Sequence, residues 1–342
     1  MEFTAAVEDE LRRFLGERQD ELSSLAPDAL LLLDEVERIV DAGGKRLRPL
    51  FCYWGHRSAG GGSTAGIVRA GAAIELLHTF AVIHDDVMDH SHLRRGVPTT
   101  FRRLAGDEGT AERFGRSAAI LAGDLAQALA DQMLAESRFE PGRILAAFRH
   151  FNRMRLEAVG GQYLDLLSPG RSPGDEAGAR AVASLKSGSY TVVGPLLMGS
   201  ALAGGPVGLE RTLTAYGRPL GEAFQLRDDV LGTFGDPALT GKDRDTDILE
   251  GKRTVLIAKA WQLGSAEVRS LIAERLGRPD LSAGEVEMVR AAVRDSGALA
   301  ETIALIDSLA KEAKAALAGW TFDAIVGDGL RALADLVAIR NA

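Results

Sequence analysis

The sequence predicts an all-α protein, and three observations lead there. Ala, Leu, Arg and Glu dominate, and runs of β-branched and aromatic residues are scarce. Apolar residues recur at helical spacing, as in Leu30, Leu33, Val36 and Val40, and again in Ile303, Ile306 and Leu309. Strong breakers gather at a few places only, with no low-complexity linker and no shift of composition along 342 residues. One domain spanning 1–342 is therefore expected. At 46% hydrophobic and 26% charged, the chain can bury a core.

Bulk charge and cysteine content narrow the function classes. Lys plus Arg total 40 against 48 for Asp plus Glu, a net charge of −8, which argues against a nucleic-acid partner. The single cysteine, Cys52, can form neither an intrachain disulfide nor a cysteine-rich zinc site, which fits a cytoplasmic protein. The N-terminus lacks the apolar run of a signal peptide. Residues 187–209 form a long uncharged stretch, but six glycines and two prolines interrupt it. A bent, buried helix and a turn are expected there, so no transmembrane segment is predicted.

Taken in order, the elements place the chemistry. A glycine-led basic cluster, Gly43-Gly44-Lys45-Arg46-Leu47-Arg48-Pro49, precedes a helix start, where backbone N–H groups with Lys45 and Arg48 would make an anion pocket. Residues 58–64 read as a loop with an N-cap for the next helix. That helix delivers His78-Thr79-Phe80-Ala81-Val82-Ile83-His84-Asp85-Asp86-Val87-Met88-Asp89, an apolar run ending in three acids. Asp85 and Asp89, four apart, share a face with Cβ atoms roughly 5–6 Å apart. Like charges on a buried helix call for a counter-ion, and Mg²⁺ suits a few carboxylates plus phosphate oxygens and waters. Arg94-Arg95-Gly96-Val97-Pro98-Thr99 follows; its arginines either bind an anion or pair with the acids. Residues 168–174 and Gly204-Gly205-Pro206 read as loops. A second apolar run, Phe224-Gln225-Leu226-Arg227-Asp228-Asp229-Val230-Leu231-Gly232, again ends in paired acids, against the preference of a helix C-terminus for cations. Residues 232–253 read as a long loop and a candidate lid carrying Lys242 and Lys252. Acids with a metal, ringed by Lys and Arg, are the combination that holds diphosphates.

With these motifs, and with Gly123-Asp124, Gly161-Gln162-Tyr163-Leu164-Asp165, Lys186-Ser187 and Gly251-Lys252-Arg253-Thr254 between and after them, the chain resembles the trans-isoprenyl diphosphate synthases of the polyprenyl synthetase family over about residues 40 to 255. Any one motif is weak; the ordered set is specific. The resemblance implies one large helical bundle around a deep central cavity, usually a homodimer, with Mg²⁺ as cofactor. It implies that Asp85 and Asp89 bind two ions and Asp228 a third, three when diphosphate is bound, with Asp86 and Asp229 supporting them. Arg94, Lys186 with Ser187, Gln225, Lys242 and Lys252 would hold an allylic diphosphate. Lys45, Arg48, His78 and Arg95 would hold isopentenyl diphosphate. Catalysis would rest on Asp85, Asp86, Asp89, Lys186, Asp228 and Asp229. Two positions depart from the family pattern: Phe101 stands where a histidine is usual, and Gly232 stands where the second acid cluster usually ends.

Product length is expected to be set below the metals. At about 1.5 Å of rise per residue, Phe80 lies roughly 7.5 Å along the helix from Asp85. Small Ala81 lies nearly one turn down, and Leu77 deeper. An aromatic at this place with a small neighbour, and no insertion in the acid motif, resembles makers of geranylgeranyl diphosphate, with farnesyl or longer products as alternatives. A class I terpene cyclase would not need the basic cluster at residues 43–49, and non-catalytic prenyl synthase subunits usually lose the first acid motif, which this chain keeps.

Overall fold

The computed structural model describes residues 2–62, 64–94, 96–105, 111–236 and 245–339. It is all-α apart from one small ribbon. Residues form two compact units, Met1–Phe151 with Pro195–Pro206, and Asn152–Gly194 with Val207–Ala342.

The first unit holds α1 (Glu2–Leu25), α2 (Leu30–Asp41), α3 (Leu47–Ser58), α4 (Ala65–Met88), the ribbon β1 (Leu93–Arg94) and β2 (Val97–Pro98), α5 (Thr100–Ala105) and α6 (Ala111–Ala135). The start of α7 (Pro141–Leu167) and most of α9 (Gly194–Ala203) complete it. Central α4 carries apolar residues on every face, as a mostly buried helix does, and packs on α6, α3 and α1. It is long and apolar enough to cross a membrane, yet most of it is buried within the chain. Two of its buried charges are paired within this packing: Glu75 with Arg46 at 2.7 Å, and Arg69 with Glu10 and Glu136. Helix α9 lies close against α3, where a methyl group on Gly55 or Gly199 would overlap the opposing backbone of Leu196 or Cys52. Thr64 occupies the cap position of α4 without a side-chain capping bond.

The second unit is built on α10 (Val207–Phe234), which packs against the segment Ala183–Val193 that follows α8 (Glu176–Val182), and against α15 (Ala298–Ala316) and α16 (Ala324–Ile339). Between them lie α11 (Thr246–Leu249), α12 (Val255–Leu263), α13 (Ala266–Arg275) and α14 (Ala283–Asp295), closed around Ile248, Leu256, Ile272, Val289 and Val293. Ser282 and Glu285 form a reciprocal capping box at the start of α14.

Two sequence expectations change. The second acid pair does not end its helix: α10 runs on to Phe234, because Val230 and Thr233 continue its buried face through Gly232. The stretch from 232 to 253 is not one loop, since it begins inside α10 and contains α11; residues 237–244, with Lys242, lie outside the described residues, as does Arg95.

Candidate active site

In the first unit, α4 stops at Met88, and Asp89 caps it with its N–H on the Asp85 carbonyl at 2.8 Å. The chain then turns back. Gly96 takes φ +76°, a left-handed conformation that permits the tight return of β2 on β1. Thr99, fully buried, clasps the other end by donating its hydroxyl to the Ser91 carbonyl at 2.7 Å. This ribbon carries Arg94 onto the acids. Its Nε donates to Asp86 Oδ1 at 2.8 Å, and Nη2 lies 2.7 Å from Asp86 and 3.5 Å from Asp85. Burial opposes the Arg94 charge, but Asp86, Asp85 and Asp89 outweigh it and hold the guanidinium above its ordinary value. Asp86 is buried, whereas the Asp85 side chain remains 24% exposed.

The basic cluster divides by role. Gly43 and Gly44 both have positive φ, and Arg46 sits at φ +48° at the cap of α3. Arg46 is buried and structural, bound to Glu75, to Glu8 at 3.3 Å and to the Val40 carbonyl at 2.6 Å. Lys45 is exposed; Arg48 and His78 are half-buried. Phe101 is core, facing His92 at 6.1 Å with the Arg116 guanidinium 5.3 Å above its ring.

In the second unit, residues Ala183–Val193 wind as a π-helix, a geometry that recurs at functional sites. Lys186 and Ser187 lie on it. Lys186 donates to Asp165 Oδ2 at 2.7 Å. Two glycines allow the approach: Gly161 on α7 takes the Lys186 backbone, and Gly221 on α10 takes Gly188, each with no room for a methyl group. Gly161→Ala is accordingly expected to cost about 1–3 kcal/mol in chemical denaturation and to lower activity by shifting Lys186.

On α10, Gln225 donates to Asp229 Oδ1 at 2.7 Å. Burial above all pushes the Asp229 carboxyl up to about 8; the Gln225 bond opposes this, and Asp247, Asp228 and Asp165 reinforce it. Mutually repelling acids of this kind are what a divalent cation relieves. Asp247 belongs to none of the sequence motifs. A Cβ on Gly232 would collide with the Asp247 carboxylate, so an acid from α11 stands where the motif lacks its own. Lys252 reaches Asp247 at 3.3 Å and Glu250 at 3.0 Å. No local pattern points to Asp247; Asp165 is visible only as part of its motif.

Among the described residues, no group of three or more His, Cys, Asp or Glu side chains is gathered so as to hold a metal ion by itself. Mg²⁺ is usually held by one or two carboxylates with waters and phosphate oxygens completing its octahedron, and the partly exposed Asp85 carboxylate is a donor of that kind. A cavity of about 290 Å³ at Lys314, Trp320, Phe322 and Arg331 holds none of the motif residues.

The profile of the polyprenyl synthetase family matches residues 30–293. The chain is 36% identical to the geranylfarnesyl diphosphate synthase of Aeropyrum pernix over 76% of its own length and 79% of that protein. It is 34% identical to the geranylgeranyl diphosphate synthase of Sulfolobus acidocaldarius, over 77% of each. A crystal structure of geranylgeranyl pyrophosphate synthase from Corynebacterium glutamicum, complexed with isoprenyl diphosphate and magnesium, superposes with a TM-score of 0.92 at 35% identity, covering 99% of this chain and 98% of that one. The protein is thus an all-α prenyltransferase of isoprenoid biosynthesis, and it belongs to the polyprenyl synthetase family.

Proposed function

We propose that this protein catalyses the Mg²⁺-dependent head-to-tail condensation of isopentenyl diphosphate with an allylic diphosphate, giving geranylgeranyl diphosphate. The observation that carries the reading is the acid end of α4: Asp85 left partly open beside the Arg94–Asp86 clamp. Asp85 and Asp89 are assigned as metal ligands, with Asp228 as a further one and Asp86, Asp229 and Asp247 supporting them. When bound, Mg²⁺ neutralises diphosphate charge and so stabilises the leaving group.

Arg94, Lys186 with Ser187, Gln225, Lys242 and Lys252 are assigned to the allylic diphosphate. Four of these, Arg94, Lys186, Gln225 and Lys252, already hold defined geometry through Asp86, Asp165, Asp229 and Asp247, which lowers the ordering cost of gripping phosphate oxygens. Lys45, Arg48, His78 and Arg95 are assigned to isopentenyl diphosphate. The allylic carbon–oxygen bond breaks with its electron pair on the departing diphosphate. The isopentenyl double bond attacks the allylic cation, one carbon–carbon bond forms, and the released diphosphate takes the proton lost. Water must be kept from the cation, and the largely apolar wall of α4, with Leu77, Phe80 and Ala81, suits a deep hydrocarbon cavity.

A product grown down that wall meets Phe80 early while small Ala81 leaves room, which supports geranylgeranyl diphosphate, with farnesyl diphosphate as the second reading. A homodimer is proposed from the exposed apolar stripe Leu156, Val159, Tyr163 and Leu166 on one face of α7. The lone buried Cys52 and the burial of α4 support a cytoplasmic location. Purified protein given Mg²⁺, isopentenyl diphosphate and each allylic primer should form sized prenyl diphosphates, and a chelator should stop it. Absence of any elongated product would reject the reading.

A further inference from the structure

The segment between Phe80 and Asp85 holds a side chain that the reaction does not use. His84 lies on the same face of α4 as Phe80, one turn on. The two rings meet edge to face, with centroids 4.7 Å apart at 65°. The other side of His84 is seated on α6. Its Nε2 is 3.0 Å from the Ile120 carbonyl, which assigns that nitrogen as the donor. Asp124 Oδ1 lies 3.7 Å away. Beneath the ring is Gly123, buried, where any Cβ would overlap the imidazole. The notch left by that glycine is what lets the ring sit so deeply between the two helices.

We propose that His84, seated in the Gly123 notch of α6, is a positioning residue that braces Phe80 and thereby sets product length. This rests on the reading of Phe80 as the floor met by the growing chain. A phenylalanine on a helix has two accessible χ1 wells, so a floor made of one ring stops elongation reliably only if that ring is held in one of them. The edge contact from His84 holds it, and the bond to Ile120 holds His84. The Gly123-Asp124 motif then has a physical purpose: its glycine admits the imidazole.

Product distributions at equal conversion test this in four variants, with melting curves as the check on folding. Phe80→Ala should lengthen the product. His84→Gln can keep an N–H on the Ile120 carbonyl but removes the ring edge; the ratio of longer products to geranylgeranyl diphosphate should rise about threefold to tenfold, the scale of one aromatic pair. Gly123→Ala displaces the imidazole without deleting it and should shift the distribution by itself. In the His84→Gln background it should add nothing, because it acts only through that ring. If Phe80→Ala lengthens the product while His84→Gln does not, the brace is wrong and the floor stands. If Phe80→Ala leaves length unchanged, both fall and prenyl transfer is unaffected. A Gly123→Ala effect of equal size in both backgrounds also overturns the proposal. Should His84→Gln fail to fold, an unchanged distribution in Gly123→Ala is sufficient to reject it.

Discussion

Asp85→Ala should lower condensation by about a thousandfold or more while leaving the protein folded. The loss follows from removing a carboxylate assigned to hold the ion that stabilises departing diphosphate, an interaction made mainly in the transition state. Retention of the fold follows from the geometry. Asp85 is partly exposed, and its link to Arg94 is the long one at 3.5 Å, whereas Asp86 keeps two shorter contacts to the same guanidinium. An acid in the last turn of a helix also opposes the macrodipole, so alanine there should be neutral or slightly stabilising. The melting temperature should stay within about 2 °C of the parent, as for a surface change worth under about half a kcal/mol. Near-normal turnover, or loss of activity only through unfolding, would refute the assignment. Asp86→Ala should behave differently: it takes from the Arg94 guanidinium its nearer acid and removes a buried acceptor, so activity and stability should fall together.

Arg46→Ala should be the most damaging change to stability in the first unit, at about 3–5 kcal/mol in chemical denaturation. Both Arg46 and Glu75 are buried, and removing the guanidinium leaves the Glu75 carboxylate in the packing of α4 without its cation. It also removes the shorter of the donors to the Val40 carbonyl at the end of α2, leaving the Gly43 N–H at 3.3 Å. Against a total of about 5–15 kcal/mol for a typical domain, that is a large fraction. Lys45→Ala, at an exposed position next door, should leave stability within about 0.5 kcal/mol and weaken isopentenyl diphosphate binding instead. Equal stability losses at the two positions would refute the division of roles within this basic motif.

Helicity, the order of the motifs and the identity of most candidate residues are legible along the chain. The reason is that each depends on short-range spacing. Asp85 and Asp89 share a face because a helix repeats every 3.6 residues, and Gly96 turns the ribbon because only a residue free of Cβ strain does so cheaply. Spacing leaves open whether Arg94 pairs with the acids, and the folded ribbon answers that alone by laying Arg94 on Asp86. In the same way, Lys186 is visible as a motif, but its partner Asp165 is 21 residues away, and the π-helical turn beneath it is fixed by packing on Gly161 and Gly221.

The departure at Gly232 shows the limit most clearly. Read along the chain, it is a missing acid. In three dimensions it is the space occupied by the Asp247 carboxylate, which comes from the next described helix. Arg46 carries the same lesson within a single motif, since nothing in Gly43-Gly44-Lys45-Arg46 separates a buried structural cation from an exposed one. Local periodicity decided the fold class and where chemistry is concentrated. Burial and partner choice were decided only by the folded chain, because both depend on which distant segments return to a residue, and spacing along the sequence does not encode that.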